Sequence, residues 1–111
     1  MNKVQFDEMP LVIEVYDLQG RVAIRWDIEQ ITTPENDMMP SKTMYECYQA
    51  IAENSSREAV ITAIIRSRYT PNAEFAIHRK IVANESGAQA EFDDYNIFVN
   101  KAKSIANSIQ P

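Results

Sequence analysis

Hydrophobic and polar residues follow two different periods along this chain, with the change near residue 55. In the first half, Leu11-Val12-Ile13-Glu14-Val15-Tyr16 is rich in β-branched and aromatic residues and runs into Asp17-Leu18-Gln19-Gly20, where glycine supplies the positive φ of a turn. The pattern predicts a strand over 11–18 entering a hairpin. The return arm, 21–31, alternates with Val22, Ile24, Trp26 and Ile28 on one face and Arg21, Arg25, Asp27 and Glu29 on the other. The first set is expected to pack against helices and the second to be exposed. Such one-sided alternation belongs to an antiparallel sheet, since parallel strands covered on both faces read as continuous apolar runs. Thr32 to Lys42, with Pro34, Pro40, Glu35, Asn36, Asp37, Met38 and Met39, reads as the longest loop. Met44–Ala52 fits a helical stripe (Met44, Tyr45, Tyr48, Ile51, Ala52) as well as a strand face (Tyr45, Cys47, Ile51). It is assigned as a strand over 44–52, because a two-stranded hairpin alone is only marginally stable.

In the second half the period lengthens. Ser55-Ser56-Arg57-Glu58 has capping-box spacing, with Ser55 as the capping residue and Glu58 returning to it. Val60, Ile61, Ile64 and Ile65 supply the buried stripe of a helix over 55–69. Thr70-Pro71 ends that helix and starts the next, because proline disfavours helical geometry just before it but suits the first helical position. The second helix, 71–84, is expected to turn Phe75, Ile77, Ile81 and Val82 inward, with Arg79 and Lys80 near its negative end. A connector over 84–90 contains Ser86-Gly87. A last helix, 91–109, places Phe92, Tyr95, Phe98, Val99, Ala102, Ile105, Ala106 and Ile109 at three- and four-residue spacings, with Glu91, Asp93 and Asp94 at its start and Lys101 and Lys103 in its second half. The expectation is an α+β fold: a three-stranded antiparallel sheet followed by three helices.

Length and composition narrow this picture. A chain of 111 residues, 45% hydrophobic and 24% charged, suits one globular domain over 1–111. With Gly20 and Gly87 as the only glycines, neither a P-loop nor a dinucleotide-binding fingerprint can be built. Met1 to Pro10 lacks the basic start and apolar middle of a secretory signal, and the apolar run Ala59–Ile65 is far short of the ~20 residues that span a bilayer. The single Cys47 leaves no internal disulfide and fits a reducing, cytoplasmic location. Residues 1–54 carry four Lys or Arg against ten Asp or Glu, a net −6, whereas residues 55–111 carry seven against six, a net +1. The acidic first half repels polyanions, so binding to nucleic acid through counterion release is disfavoured by net charge.

Residues with chemical potential are few. Cys47 and His78 are the only nucleophile and base of the usual catalytic types, and each has an ordinary structural reading, as a small buried thiol and a half-buried imidazole. One His and one Cys offer no zinc set, and Glu91, Asp93 and Asp94 read as helix-start acids rather than cation ligands. No catalytic residue, metal or cofactor is assigned. The coherent polar feature is the group Arg66, Arg68, Arg79 and Lys80 around the Thr70-Pro71 turn, with Tyr69 nearby. Arginines pair with phosphate or carboxylate in two-pronged fashion and tyrosine stacks on bases, so this group is the candidate binding surface.

The order Ile64-Ile65-Arg66-Ser67-Arg68-Tyr69, then Glu74-Phe75-Ala76-Ile77, then Glu91-Phe92 leading through Tyr95 and Phe98 to Ala102-Lys103, resembles small uncharacterised proteins of phage and prophage modules in gut bacteria. The resemblance covers about half of the chain, implies a virion-assembly or tail-associated role, and carries over no functional residue. The expected function is thus a non-enzymatic interaction module that binds a protein partner or itself, with exposed Met38-Met39 and tyrosines suited to adaptable contacts. The alternative is a binder of nucleic acid or a phosphorylated ligand through the basic group.

Overall fold

The computed structural model describes residues 1, 3–36, 38 and 40–109. Its element order is β1 (Lys3–Phe6), β2 (Ile13–Val15), β3 (Val22–Thr33), β4 (Lys42–Ala52), α1 (Arg57–Arg66), α2 (Pro71–Val82) and α3 (Ala88–Ile109). The α+β class and the three helices agree with expectation, and Met44–Ala52 lies wholly within a strand. The sheet, however, has four antiparallel strands in the order β1-β4-β3-β2 rather than three. The added strand is Lys3–Phe6, whose alternation spans only four residues and is too short to stand out from a terminal segment. Ladder pairing within the expected 11–18 strand is confined to Ile13–Val15, while β3 and β4 extend further into the expected loop. Asp37 and Met39 of that loop lie outside the described residues; Met38 is almost fully exposed.

One face of the sheet meets the helices. Val22, Ile24 and Trp26 of β3 join Ala50 and Ala52 of β4, Val60 and Ile64 of α1, and Phe98, Ala102 and Ala106 of α3 in a continuous core. α1 approaches both β4 and α3 closely, and the buried small residues Ala50 and Ala52 of β4 and Ala102 and Ala106 of α3 suit such close packing. α1 packs on both β4 and α3, whereas α2 packs mainly on α3.

The opposite face departs from simple alternation. β1 and β2 form opposite edges of the sheet, so residues 7–12 must span it. The Leu11 carbonyl meets the Arg25 guanidinium at 3.2 Å. Ala23, Arg25 and Cys47 are consequently buried on this side. Arg25, expected on an exposed face, is only 6% exposed: it pairs with Glu14 at 2.6 Å, donates to Gln49 at 2.8 Å, and lies 4.6 Å from the centre of the Phe6 ring. A buried cation is tolerable only when its donors are satisfied in this way.

Alternation also breaks at a bulge. Trp26 pairs with Tyr48 but Glu29 pairs with Glu46, leaving Asp27 and Ile28 opposite Cys47 alone. Asp27 takes a left-handed conformation, φ 53°, which a short polar side chain tolerates. The extra residue reverses the parity of the strand, so Ile28, expected beside Trp26 against the helices, turns to the other face and is only half-buried.

The helix ends follow local chemistry with small shifts. Ser56, not Ser55, caps α1, its hydroxyl accepting from the Ala59 amide at 3.3 Å. α1 stops at Arg66 rather than running to 69. Thr70 caps α2, accepting from Ala73 at 3.1 Å, with Pro71 at the first helical position. Left-handed Asn84, φ 55°, and Gly87, φ 79°, turn the chain into α3, which begins at Ala88 rather than 91. On α2, Ile77 is buried and Ile81 half-buried, but Phe75 and Val82, expected inward, are 68% and 87% exposed. A helix with one packing partner buries one narrow stripe, and these two residues fall outside it.

Candidate functional site

The corner between α1 and α2 is built around Glu74. Thr70 and Pro71 set the start of α2, which puts Glu74 in its first turn, where a carboxylate is favoured by the helix dipole. One Glu74 oxygen pairs with Arg66 at the end of α1, and the other accepts from the Tyr95 hydroxyl of α3. Arg66 also donates to the Tyr69 carbonyl at 3.3 Å. Three helices are thus joined through one carboxylate. Burial works to raise the Glu74 pKa, but the hydrogen bonds from Tyr95 and Arg66 outweigh it and the carboxyl is held below its ordinary value. Burial, reinforced by the Glu74 carboxylate, pushes Tyr95 up to about 12.

Aromatic rings line the inner side of the corner. Tyr69 meets Tyr95 edge-on, with centroids 5.1 Å apart, and lies 5.8 Å from Phe98. The Arg68 guanidinium sits 5.2 Å from the centres of both Tyr69 and Phe98. Tyr69 is therefore half-buried in a ring cluster instead of free to stack on a ligand. The five candidate residues do not converge. Arg66, Arg68 and Tyr69 are at the corner, while Arg79 and Lys80 lie at the far end of α2, about 12 Å further along the axis at 1.5 Å per residue. Lys80 pairs with Glu91 of α3 at 3.3 Å; Arg79 is exposed and has no ion-pair partner among the described residues. Proximity in sequence to the turn suggested one cluster, but a helix carries its two ends apart.

Cys47 and His78 are not brought together. Cys47 is fully buried on the sheet face turned away from the helices, whereas His78 is exposed on α2 with its ring against Phe92 and Tyr95. Burial pushes the Cys47 thiol up, against an opposing pull from Arg25, which leaves it a poor nucleophile. Of the acids at the start of α3, Glu91 holds Lys80 and Asp93 accepts from Gln89 at 2.8 Å. No group of three or more His, Cys, Asp or Glu among the described residues is placed to hold a metal ion. No helix among the described residues is long and apolar enough to cross a membrane.

Two further features were not legible in the sequence. A groove of about 370 Å³ runs between α1 and the end of β4, lined by Ile51, Glu53, Glu58, Thr62, Ala63 and Arg66. At the β2 edge of the sheet, Leu11, Val12, Val15, Tyr16 and Leu18 are all exposed, Leu18 fully so. Their β-branched and aromatic character signalled a strand, and nothing local distinguishes an open edge from a covered one. No family model, curated protein or solved structure matches this chain.

Proposed function

We propose that this chain is a non-enzymatic protein-interaction module. The observation that carries the reading is the run of large apolar side chains left exposed along the β2 edge, Val15 on one face of the strand and Val12 and Tyr16 on the other, since exposed apolar side chains gathered at one edge mark a contact surface. The shape agrees with it. The molecule measures 59 × 36 × 22 Å with a radius of gyration of 17.6 Å, against about 13 Å expected for a compact domain of ~100 residues. An elongated chain presents more surface for contact than its core requires. The resemblance of the helical half to phage and prophage proteins suggests virion or tail assembly as the setting.

The alternative, a nucleic-acid or phosphate binder, draws less support, because Glu74 and Glu91 already take Arg66 and Lys80 and the overall charge is −5. The test is affinity capture from the cells that make the protein, comparing wild type with Leu18→Lys, alongside a gel-shift assay with DNA and RNA. Loss of specific partners in the variant at unchanged thermal stability supports the reading. Identical capture by both proteins, together with a salt-dependent nucleic-acid shift, overturns it in favour of the alternative.

A further inference from the structure

We infer that the partner of the β2 edge is a second copy of this chain, paired strand to strand across a two-fold axis into one continuous antiparallel sheet. The inference rests on the interaction-module reading and specifies its partner. The inner side of the strand is fully engaged: the Tyr16 amide donates to the Arg21 carbonyl and the Arg25 amide to the Val12 carbonyl, both at 2.8 Å. Because strand hydrogen-bonding groups alternate, those of Ile13 and Val15 point to the open side. An unpaired row of this kind is a template for another strand unless it is guarded.

The two sheet edges differ in how they are guarded. β1 carries Lys3 and Gln5, both bonded to Glu46, and Lys3 is the sort of edge cation that discourages pairing. From Leu11 to Tyr16 the β2 edge has no cation, and its side chains Leu11, Val12, Val15 and Tyr16 are exposed. Its complement is written in its own sequence. In an antiparallel pairing centred on Glu14, Ile13 faces Val15 of the other copy and Val12 faces Tyr16, so apolar meets apolar on both faces, and aromatic against β-branched is a favourable cross-strand pair. The one charge in the segment, Glu14, is held by Arg25 at 2.6 Å within each copy, so two neutralised ion pairs approach at the axis rather than two bare carboxylates. Asp17 and Arg21, paired at 2.6 Å, likewise leave no net charge at the turn. An isologous contact of this type closes as a dimer.

Sedimentation equilibrium of the full chain over a range of concentrations is the primary measurement, with Val15→Lys as the edge-guarded variant. The expected result is a wild-type dimer that persists at raised salt, and a Val15→Lys monomer with unchanged circular dichroism and Trp26 emission. Should Val15→Lys fail to fold, register is read instead from an oxidised mixture of Val12→Cys and Tyr16→Cys chains. These should form the mixed disulfide in preference to either symmetric one, because opposed residues lie within disulfide reach. Cys47, fully buried, does not compete. A monomeric wild type at every concentration, a Val15→Lys dimer as tight as wild type, or random disulfide pairing overturns the inference. A monomer that still captures another protein in a Leu18-dependent way refutes self-pairing but leaves the module reading intact, whereas a monomer that captures nothing removes both.

Discussion

Arg25 stands where alternation alone calls for a solvated cation, and its surroundings make it a structural pivot instead. Its guanidinium joins β2 through Glu14, β4 through Gln49, the spanning segment through Leu11, and the Phe6 ring of β1. Removing it strands several polar partners at once, so Arg25→Ala is expected to cost about 3 kcal/mol, measured by urea denaturation. Arg25→Lys should recover little, because an ammonium cannot reproduce the forked contacts. At the other end of the molecule, the Glu74 network predicts a pH response of known sign. The lowered Glu74 pKa stabilises the fold above its ordinary value of 4.5, and this contribution is lost as pH falls through the lowered native value. Glu74→Gln should flatten that acid limb of a stability-against-pH curve. Tyr95 has the reverse sign: raised from 10.0 to about 12, it stabilises the fold below pH 10 and loses that contribution as pH rises through 12. In a tyrosinate absorbance titration, one of the five tyrosines should ionise near pH 12 in the folded protein, and Tyr95→Phe should remove that step.

At the scale of elements, the boundaries are held by single side chains that substitutions can isolate. Ser56→Ala and Thr70→Ala each remove a cap hydrogen bond to the third residue beyond, and each is expected to cost about 1 kcal/mol in thermal unfolding. The bulge offers a sharper test. Because Asp27 is left-handed, Asp27→Gly should be tolerated despite losing the 2.5 Å ion pair to Lys101, since an exposed pair contributes ~0–1 kcal/mol. Asp27→Val, β-branched at positive φ, should cost about 1–3 kcal/mol. Equal destabilisation by Gly and Val would mean that the Lys101 contact, not the backbone, matters at this position. The bulge was invisible in the sequence because Ile24 to Glu29 alternates without interruption; an added residue is defined only by what lies across the ladder.

For the whole molecule, the core and the shape make separate demands. Trp26 lies against Tyr48 with centroids 6.0 Å apart and is 5% exposed, so its emission should be blue-shifted and protected from quenchers. Trp26→Ala should cost about 3–5 kcal/mol, a large share of the stability of an ordinary domain. Solvent-like emission in the native state would contradict the register assigned to β3. Small-angle scattering should report the elongated form, with a larger radius if two copies join at the β2 edge.

What residue order determines by itself here is local: the hairpin turn at Gly20, the cap and proline that separate α1 from α2, the buried stripe of α3 and the faces of Val22, Ile24 and Trp26. Each depends on neighbours within a few positions, where sterics and hydrogen bonding act directly. Tertiary structure alone decided that Lys3–Phe6 joins β4, that Arg25 is enclosed, and that Phe75 and Val82 face water. Those outcomes depend on which distant segment covers a side chain or supplies its counter-charge. Glu74 is the clearest case. Its sequence position marks it as a first-turn acid, but only the meeting of three helices makes it the partner of Arg66 and Tyr95 together.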